Sequence, residues 1–106
     1  MSGNQIVSFG EYIRHLRENK KLTLRKIATE LELDVSTLSK IEKNERNPSD
    51  KIMDKLSIIF DVDRQQLKKI YMIDKITFQL IHEVDGIKIL KAAEKRIKSY
   101  KKDDRE

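Results

Sequence analysis

Two short apolar periodicities, "KIATEL" and "VSTLSKIE", are out of phase and separated by only Glu32, Leu33 and Asp34. Each supports about two to three turns of helix, near 24–31 and 35–43. A link of about three residues forces such helices into a sharp crossing. Close crossing demands a small residue at the contact, and Ala28 stands there, one turn into the first of the pair. Leu31, Leu33, Leu38 and Ile41 complete the apolar set that fixes the angle. This is the layout of a helix-turn-helix, whose second helix can lie in a DNA major groove. The same spacing also occurs in ordinary helical bundles, so the neighbouring segments decide between the two.

Those segments repeat one grammar, a capping residue flanked by an apolar pair. Ser8 forms a capping box with Glu11, and Val7 faces Tyr12. Thr23 starts a helix with Leu22 facing Ile27, and Asp34 starts one with Leu33 facing Leu38. Ser49 follows Pro48, Asp63 pairs with Gln66, and Asp85 precedes a last helix. The pattern predicts an all-α chain with helices near 8–20, 24–31, 35–43, 49–60, 64–83 and 86–101. The expected core is Phe9, Ile13, Leu16, Ile27, Leu31, Leu38, Ile41, Ile52, Leu56, Ile59 and Leu67. The last residues, "KKDDRE", are expected to fray.

Composition narrows the function classes. Among 106 residues, 38% are hydrophobic and 39% charged, enough for one modest core. No cysteine is present, which excludes a disulfide framework and thiolate metal sites. No apolar run approaches the roughly 20 residues of a membrane span, and the start lacks a secretory layout, so a cytoplasmic location is expected. His15 and His82 lie on different helices without partners at metal-ligand spacing. With no phosphate-cradling glycine loop and no supported nucleophile, neither catalysis, a cofactor nor a small-molecule substrate is expected. Net charge is +5. Residues 1–62 carry 11 basic and 10 acidic side chains, and residues 63–106 carry 12 and 8, so the excess lies towards the C-terminus.

Over residues 9 to about 70 the chain resembles the lambda-repressor-like (Cro/cI, or XRE) family of helix-turn-helix regulators. The matching pieces are "FGEYIRHLRENKKLT", "IATEL", "STLSKIEKNERNPS" and "MDKLSIIFDVD". The resemblance implies a five-helix domain, 8–70, that binds double-stranded DNA as a homodimer on a palindromic operator. It also implies residue roles. Asp34, Val35, Ser36, Thr37 and Lys40 fall where the family places base contacts. Thr23, Leu24 and Arg25, at a helix N-terminus, and Lys43, Arg46 and Asn47, after the recognition helix, fall where it grips phosphates. Arg17 and Glu42 match a salt bridge of the family, which reads either as a clamp between helices or as a device aiming Arg17 at a phosphate. The chemistry agrees: Lys40 suits guanine O6 or N7, Ser36 and Thr37 suit either base type, and Val35 suits a thymine methyl. Three positions depart from the pattern. Leu24 replaces a phosphate-binding glutamine. Glu32 replaces a turn glycine, so the left-handed conformation there costs more or the turn differs. Asn44 replaces another glycine in a milder change, because asparagine tolerates that conformation.

Residues 71–102 exceed what such a domain needs. Ile73, Ile76, Leu80, Leu90, Ala93, Ile97 and Tyr100 predict apolar seams that need further burial, and hence a dimerisation extension. Folding back onto its own domain is the alternative. Lys88, Lys91, Lys95, Lys98 and Lys101 read as a solvated face, with flanking DNA as a weaker reading. The resemblance covers an autoregulating restriction–modification controller, a mobile-element regulator and an antitoxin whose C-terminal helices cover a toxin. A protein-interaction module, with the helix-turn-helix as scaffold and a protein partner on the C-terminal helices, is the alternative from another class.

Overall fold

The computed structural model describes residues 7–104, which are helical without strands. Six helices follow in order: α1 (Phe9–Asn19), α2 (Leu24–Leu31), α3 (Val35–Glu42), α4 (Asp50–Phe60), α5 (Arg64–Leu80) and α6 (Gly86–Asp104). The chain divides into two compact units between Asp74 and Lys75, so α5 begins in one and ends in the other.

In the first unit the polar signals set most helix starts. Thr23 Oγ1 accepts the Lys26 N–H (3.1 Å), Ser49 Oγ that of Ile52 (3.2 Å) and Asp63 Oδ2 that of Gln66 (3.1 Å). Helix α1 is pinned more thoroughly. Its three free N–H groups at Phe9, Gly10 and Glu11 donate to Asp74 Oδ2 (2.7 Å), Asn44 Oδ1 (2.9 Å) and Ser8 Oγ (3.2 Å). The Glu11 carboxylate completes the box by accepting the Ser8 N–H at 3.1 Å. Those bonds from Ser8 hold the Glu11 carboxyl below its usual range. Asp34 behaves differently from the other caps. Its backbone is extended at the start of α3, but its carboxylate makes no capping bond and stays exposed.

Helices α1 to α4 are followed by left-handed residues that are not glycine: Lys21 (φ 56), Glu32 (φ 59), Asn44 (φ 63) and Asp61 (φ 53). Asparagine and aspartate tolerate this backbone through their short polar side chains; lysine and glutamate carry more of its cost, about 1–2 kcal/mol for an ordinary L-residue.

The core gathers Phe9, Ile13, Ile27, Ala28, Leu31, Leu38, Ile41, Ile52, Met53, Leu56, Phe60 and Leu67. Leu16 and Ile59 are only half-buried and pack against it. Met53 and Phe60 join it instead: Met53 lies one turn before Leu56, and Phe60 one turn after it. Helix α2 packs on α3 and α4, and α1 packs on α3. The start of α5 closes the unit through Leu67 and through Tyr71, whose ring meets Phe9 edge-on at 5.4 Å.

In the second unit α5 ends at Leu80, three residues short of the expected 83, where Ile81 and Glu83 N–H groups bond back to Thr77 and Leu80 carbonyls. Gly86 then starts α6. A Cβ there would stand 2.5 Å from the Leu80 carbonyl oxygen, so only glycine allows this close return. Helix α6 continues to Asp104, beyond the expected 101; Arg105 and Glu106 lie outside the described residues. None of residues 75–102 is buried. An open apolar groove runs between Ile76 and Leu80 on one side and Leu90, Ala93 and Ile97 on the other. Among the described residues no helix is long and apolar enough to cross a membrane.

Candidate nucleic-acid interface

Helix α3 has only eight residues, and its inner side is unambiguous: Leu38, Ile41 and Glu42 are buried. At about 100° per residue, Ser36, Lys40 and Lys43 fall within about 60° of one another on the opposite side. All three are exposed. Val35, 37% exposed, and the half-buried Thr37 flank this stripe on either side. The stripe is short-chained at its start and cationic at its end. A surface of this shape lets the helix N-terminus approach a groove floor closely while charge meets the groove walls.

Around α3 the structure places the remaining predicted residues in two segments. Thr23, Leu24 and Arg25 form the start of α2, where the Leu24 and Arg25 N–H groups lie in the first helical turn and face no intrahelical acceptor. Leu24 is half-buried and packs against the core, so its side chain serves the fold. Lys43, Arg46 and Asn47 lie in the exposed segment after α3. Among the described residues Arg25, Lys40, Lys43 and Arg46 form no ion pair, whereas Arg14, Arg17, Lys55, Arg64 and Lys98 do.

The pair that sets the position of α3 is Arg17 with Glu42. Arg17 Nε and Nη2 donate to the Glu42 carboxylate at 2.8 and 3.1 Å, and Nη1 donates to the Leu22 carbonyl at 2.9 Å. Their side chains are 12% and 5% exposed. One guanidinium thus joins the last turn of α3 to the turn that leads into α2. The hydrogen bonds that Arg17 donates to Glu42 raise its already high pKa, so its charge is fixed. Each of the three nitrogens thus donates one bond within the protein, three of the five N–H groups in all. This is the geometry of a clamp.

Glu32 takes the left-handed backbone at the turn between α2 and α3 (φ 59, ψ 42). Its carboxylate receives Lys55 Nζ at 2.6 Å, which ties the turn to α4 and holds the Glu32 carboxyl below its usual range. The pair is largely exposed and contributes little by itself.

Three positioning residues carried no local signal in the sequence. Asn44 Oδ1 accepts from Gly10 N–H, and its Nδ2 donates to Ser8 Oγ at 2.8 Å, which bridges the exit of α3 to the start of α1. Asp74 reaches Phe9 across 65 residues of chain. At Gly10 any Cβ would collide with the carbonyl oxygens of Ile41 and Glu42, so α1 and α3 touch backbone to backbone there.

Comparison with known proteins agrees with this geometry. Residues 13–67 match the helix-turn-helix family. Two solved structures are similar over the same kind of domain. One is the restriction-modification controller protein C.AhdI from Aeromonas hydrophila, at 32% identity and a TM-score of 0.53, covering 58% of this chain and 94% of that one. The other is the N-terminal DNA binding domain of SinR from Bacillus subtilis, at 33% identity and a TM-score of 0.52, covering 57% of this chain and 88% of that one. No curated protein matches the chain. The crossing of α2 and α3, the clamp behind α3 and the family match converge: this chain belongs to the lambda-repressor-like (XRE) helix-turn-helix family of DNA-binding transcriptional regulators.

Proposed function

We propose that the protein is a dimeric, sequence-specific transcriptional regulator that reads a palindromic operator with α3 in the major groove. The observation that carries this reading is the exposed Ser36–Lys40–Lys43 stripe opposite the buried Leu38, Ile41 and Glu42. Asp34, Val35, Ser36, Thr37 and Lys40 contact base edges. Thr23, Leu24 and Arg25 hold a phosphate, the first two through backbone N–H groups. Lys43, Arg46 and Asn47 hold phosphates beyond α3. The likeness to C.AhdI supports a controller of a restriction–modification operon as the biological role, with the cytoplasm as its compartment.

Lys40→Ala is expected to relax specificity by about 1–3 kcal/mol at one base pair. Lys43→Ala is expected to weaken all duplexes alike and to lower the salt slope by about 0.9. Selection from random DNA, followed by binding titrations on the selected and scrambled duplexes, reads both effects. Equal losses on both duplexes from Lys40→Ala would refute its role in base reading.

Dimerisation is assigned to the C-terminal helices. Ile76, Leu90 and Ile97 are 40%, 43% and 55% exposed around the groove shared with Leu80 and Ala93, and helical spacing assigns the exposed Ile73 and Tyr100 to the same seam. An unfilled groove in a segment, 75–102, without a buried residue calls for a second copy of that segment to fill it. Each large aliphatic side chain so buried contributes about 1.5–3 kcal/mol. The variant Ile76→Asp/Leu90→Asp is therefore expected to sediment as a monomer with intact first-unit folding. A wild-type monomer at micromolar concentration, accompanied by a stoichiometric foreign protein on purification, would instead favour the antitoxin or protein-interaction reading.

A further inference from the structure

Helix α6 has a second face that the proposed dimer does not use. At about 100° per residue, Lys88, Lys91, Lys95, Lys98 and Lys102 fall within about 80° of arc. Every residue of α6 from 88 to 102 in that arc is lysine. All five are exposed, and the expected Lys101 lies off the stripe. Lys98 pairs with Glu94 at 3.1 Å, whereas Lys88, Lys91, Lys95 and Lys102 form no ion pair among the described residues. The apolar stripe of Ile89, Leu90, Ala93, Ile97 and Tyr100 is centred about 170° away.

We infer that this lysine stripe is a second, sequence-independent DNA contact that lies against phosphates flanking the site read by α3. The inference rests on the DNA-binding reading above. From Lys88 to Lys102 the helix advances about 21 Å at about 1.5 Å per residue. That length of duplex axis carries roughly six phosphates on one strand. Five cations spaced by three or four residues match such a row. Lysine, a point charge on a flexible stem, suits phosphates without a fixed orientation. No aromatic or amide side chain interleaves the stripe to read bases. Attachment to a DNA-binding unit holds the stripe at high effective concentration near the polyanion. A membrane surface fits less well. On a helix lying in a bilayer interface, lysines reach headgroups from the borders of the apolar face, whereas these point directly away from it.

The test uses the full chain and Lys88→Gln/Lys91→Gln/Lys95→Gln, with helix content and dimer formation checked first. Affinity is measured against salt on random-sequence duplexes of about two and about five helical turns. Wild type is expected to bind the long duplex more steeply with salt than the short one. The triple variant is expected to lose about 2.7 from that slope per chain on the long duplex, near 0.9 for each phosphate contact, and nothing on the short one. The corresponding arginine variant is expected to restore the slope. If wild type binds the short duplex and length adds nothing, only this inference falls. If it binds neither, the reading of α3 falls and takes this inference with it. Loss of binding to phosphatidylserine vesicles by the triple variant, with duplex binding unchanged, would overturn the inference in favour of a lipid surface.

Discussion

Glu42→Ala is expected to destabilise the first unit by about 3–5 kcal/mol, and Arg17→Ala by a similar amount. Each leaves its partner as a lone charge in a site where the two side chains are only 12% and 5% exposed. Arg17 loses a further anchor role, because its Nη1 also satisfies the Leu22 carbonyl. The measurement is denaturant unfolding, read as a midpoint shift at constant slope. A cost below about 1 kcal/mol would mean that the pair behaves like an exposed ion pair and does not clamp α3.

The double variant Arg17→Met/Glu42→Leu separates clamp from contact. Replacing both charges with apolar side chains removes the desolvation cost together with the attraction, so stability is expected to return to within about 2 kcal/mol of wild type. If Arg17 acts only inside the protein, the refolded double variant binds DNA close to normally. If its guanidinium also meets a phosphate, affinity falls on every duplex while stability is restored. The committed bonds of all three Arg17 nitrogens favour the first outcome.

The helices themselves were legible because their signals are local. Ser8, Thr23, Ser49 and Asp63 each bond a backbone N–H three residues on, and such a cap is written within one turn of sequence. Asp34 reads the same way yet leaves its carboxylate free, since an extended backbone is enough to start α3. At Glu32 the sequence leaves open a left-handed backbone or a different turn, and the residue adopts the first, as does Asn44, whose side chain type tolerates it. The outward stripe of α3 follows from helical period alone once Leu38 and Ile41 are placed inside.

The supports behind that stripe were not legible. Asn44 reads as a substitute for a turn glycine, and nothing near it in the chain announces that its amide bridges Ser8 and Gly10. Asp74 sits on an otherwise amphipathic helix, and its partner is the N-terminus of α1. Met53 and Phe60 lie one turn to either side of Leu56, so the period of α4 admits them. It admits Ile59 as well, and which of these goes deepest depends on packing against other helices such as α2. Such contacts belong to tertiary geometry, and one sequence records them only as residues of compatible type.

Gly10 is the sharpest of these cases, and its replacement is the second large effect expected. Inside a helix, glycine to alanine ordinarily stabilises by about 0.8–1 kcal/mol. Here the sign should reverse. The added Cβ would meet the Glu42 carbonyl oxygen and would stand 2.7 Å from that of Ile41, both backbone atoms that cannot swing aside. To admit it, α1 must move off α3, which stretches the Gly10–Asn44 bond and loosens the packing of Phe9 and Ile13. Gly10→Val is expected to cost about 3 kcal/mol, with Gly10→Ala smaller but still destabilising. Thermal and denaturant unfolding measure both, and a stabilised Gly10→Ala would show that the two backbones do not touch. Asn44→Gly is the control, since it keeps the left-handed turn and removes only the amide bridge. Because the obstructing carbonyls end the helix that carries Ser36 and Lys40 and leads directly into Lys43, displacement there also tilts the proposed reading surface. Gly10→Ala should therefore lose more affinity for selected than for random duplexes, although Gly10 itself is buried and faces no DNA.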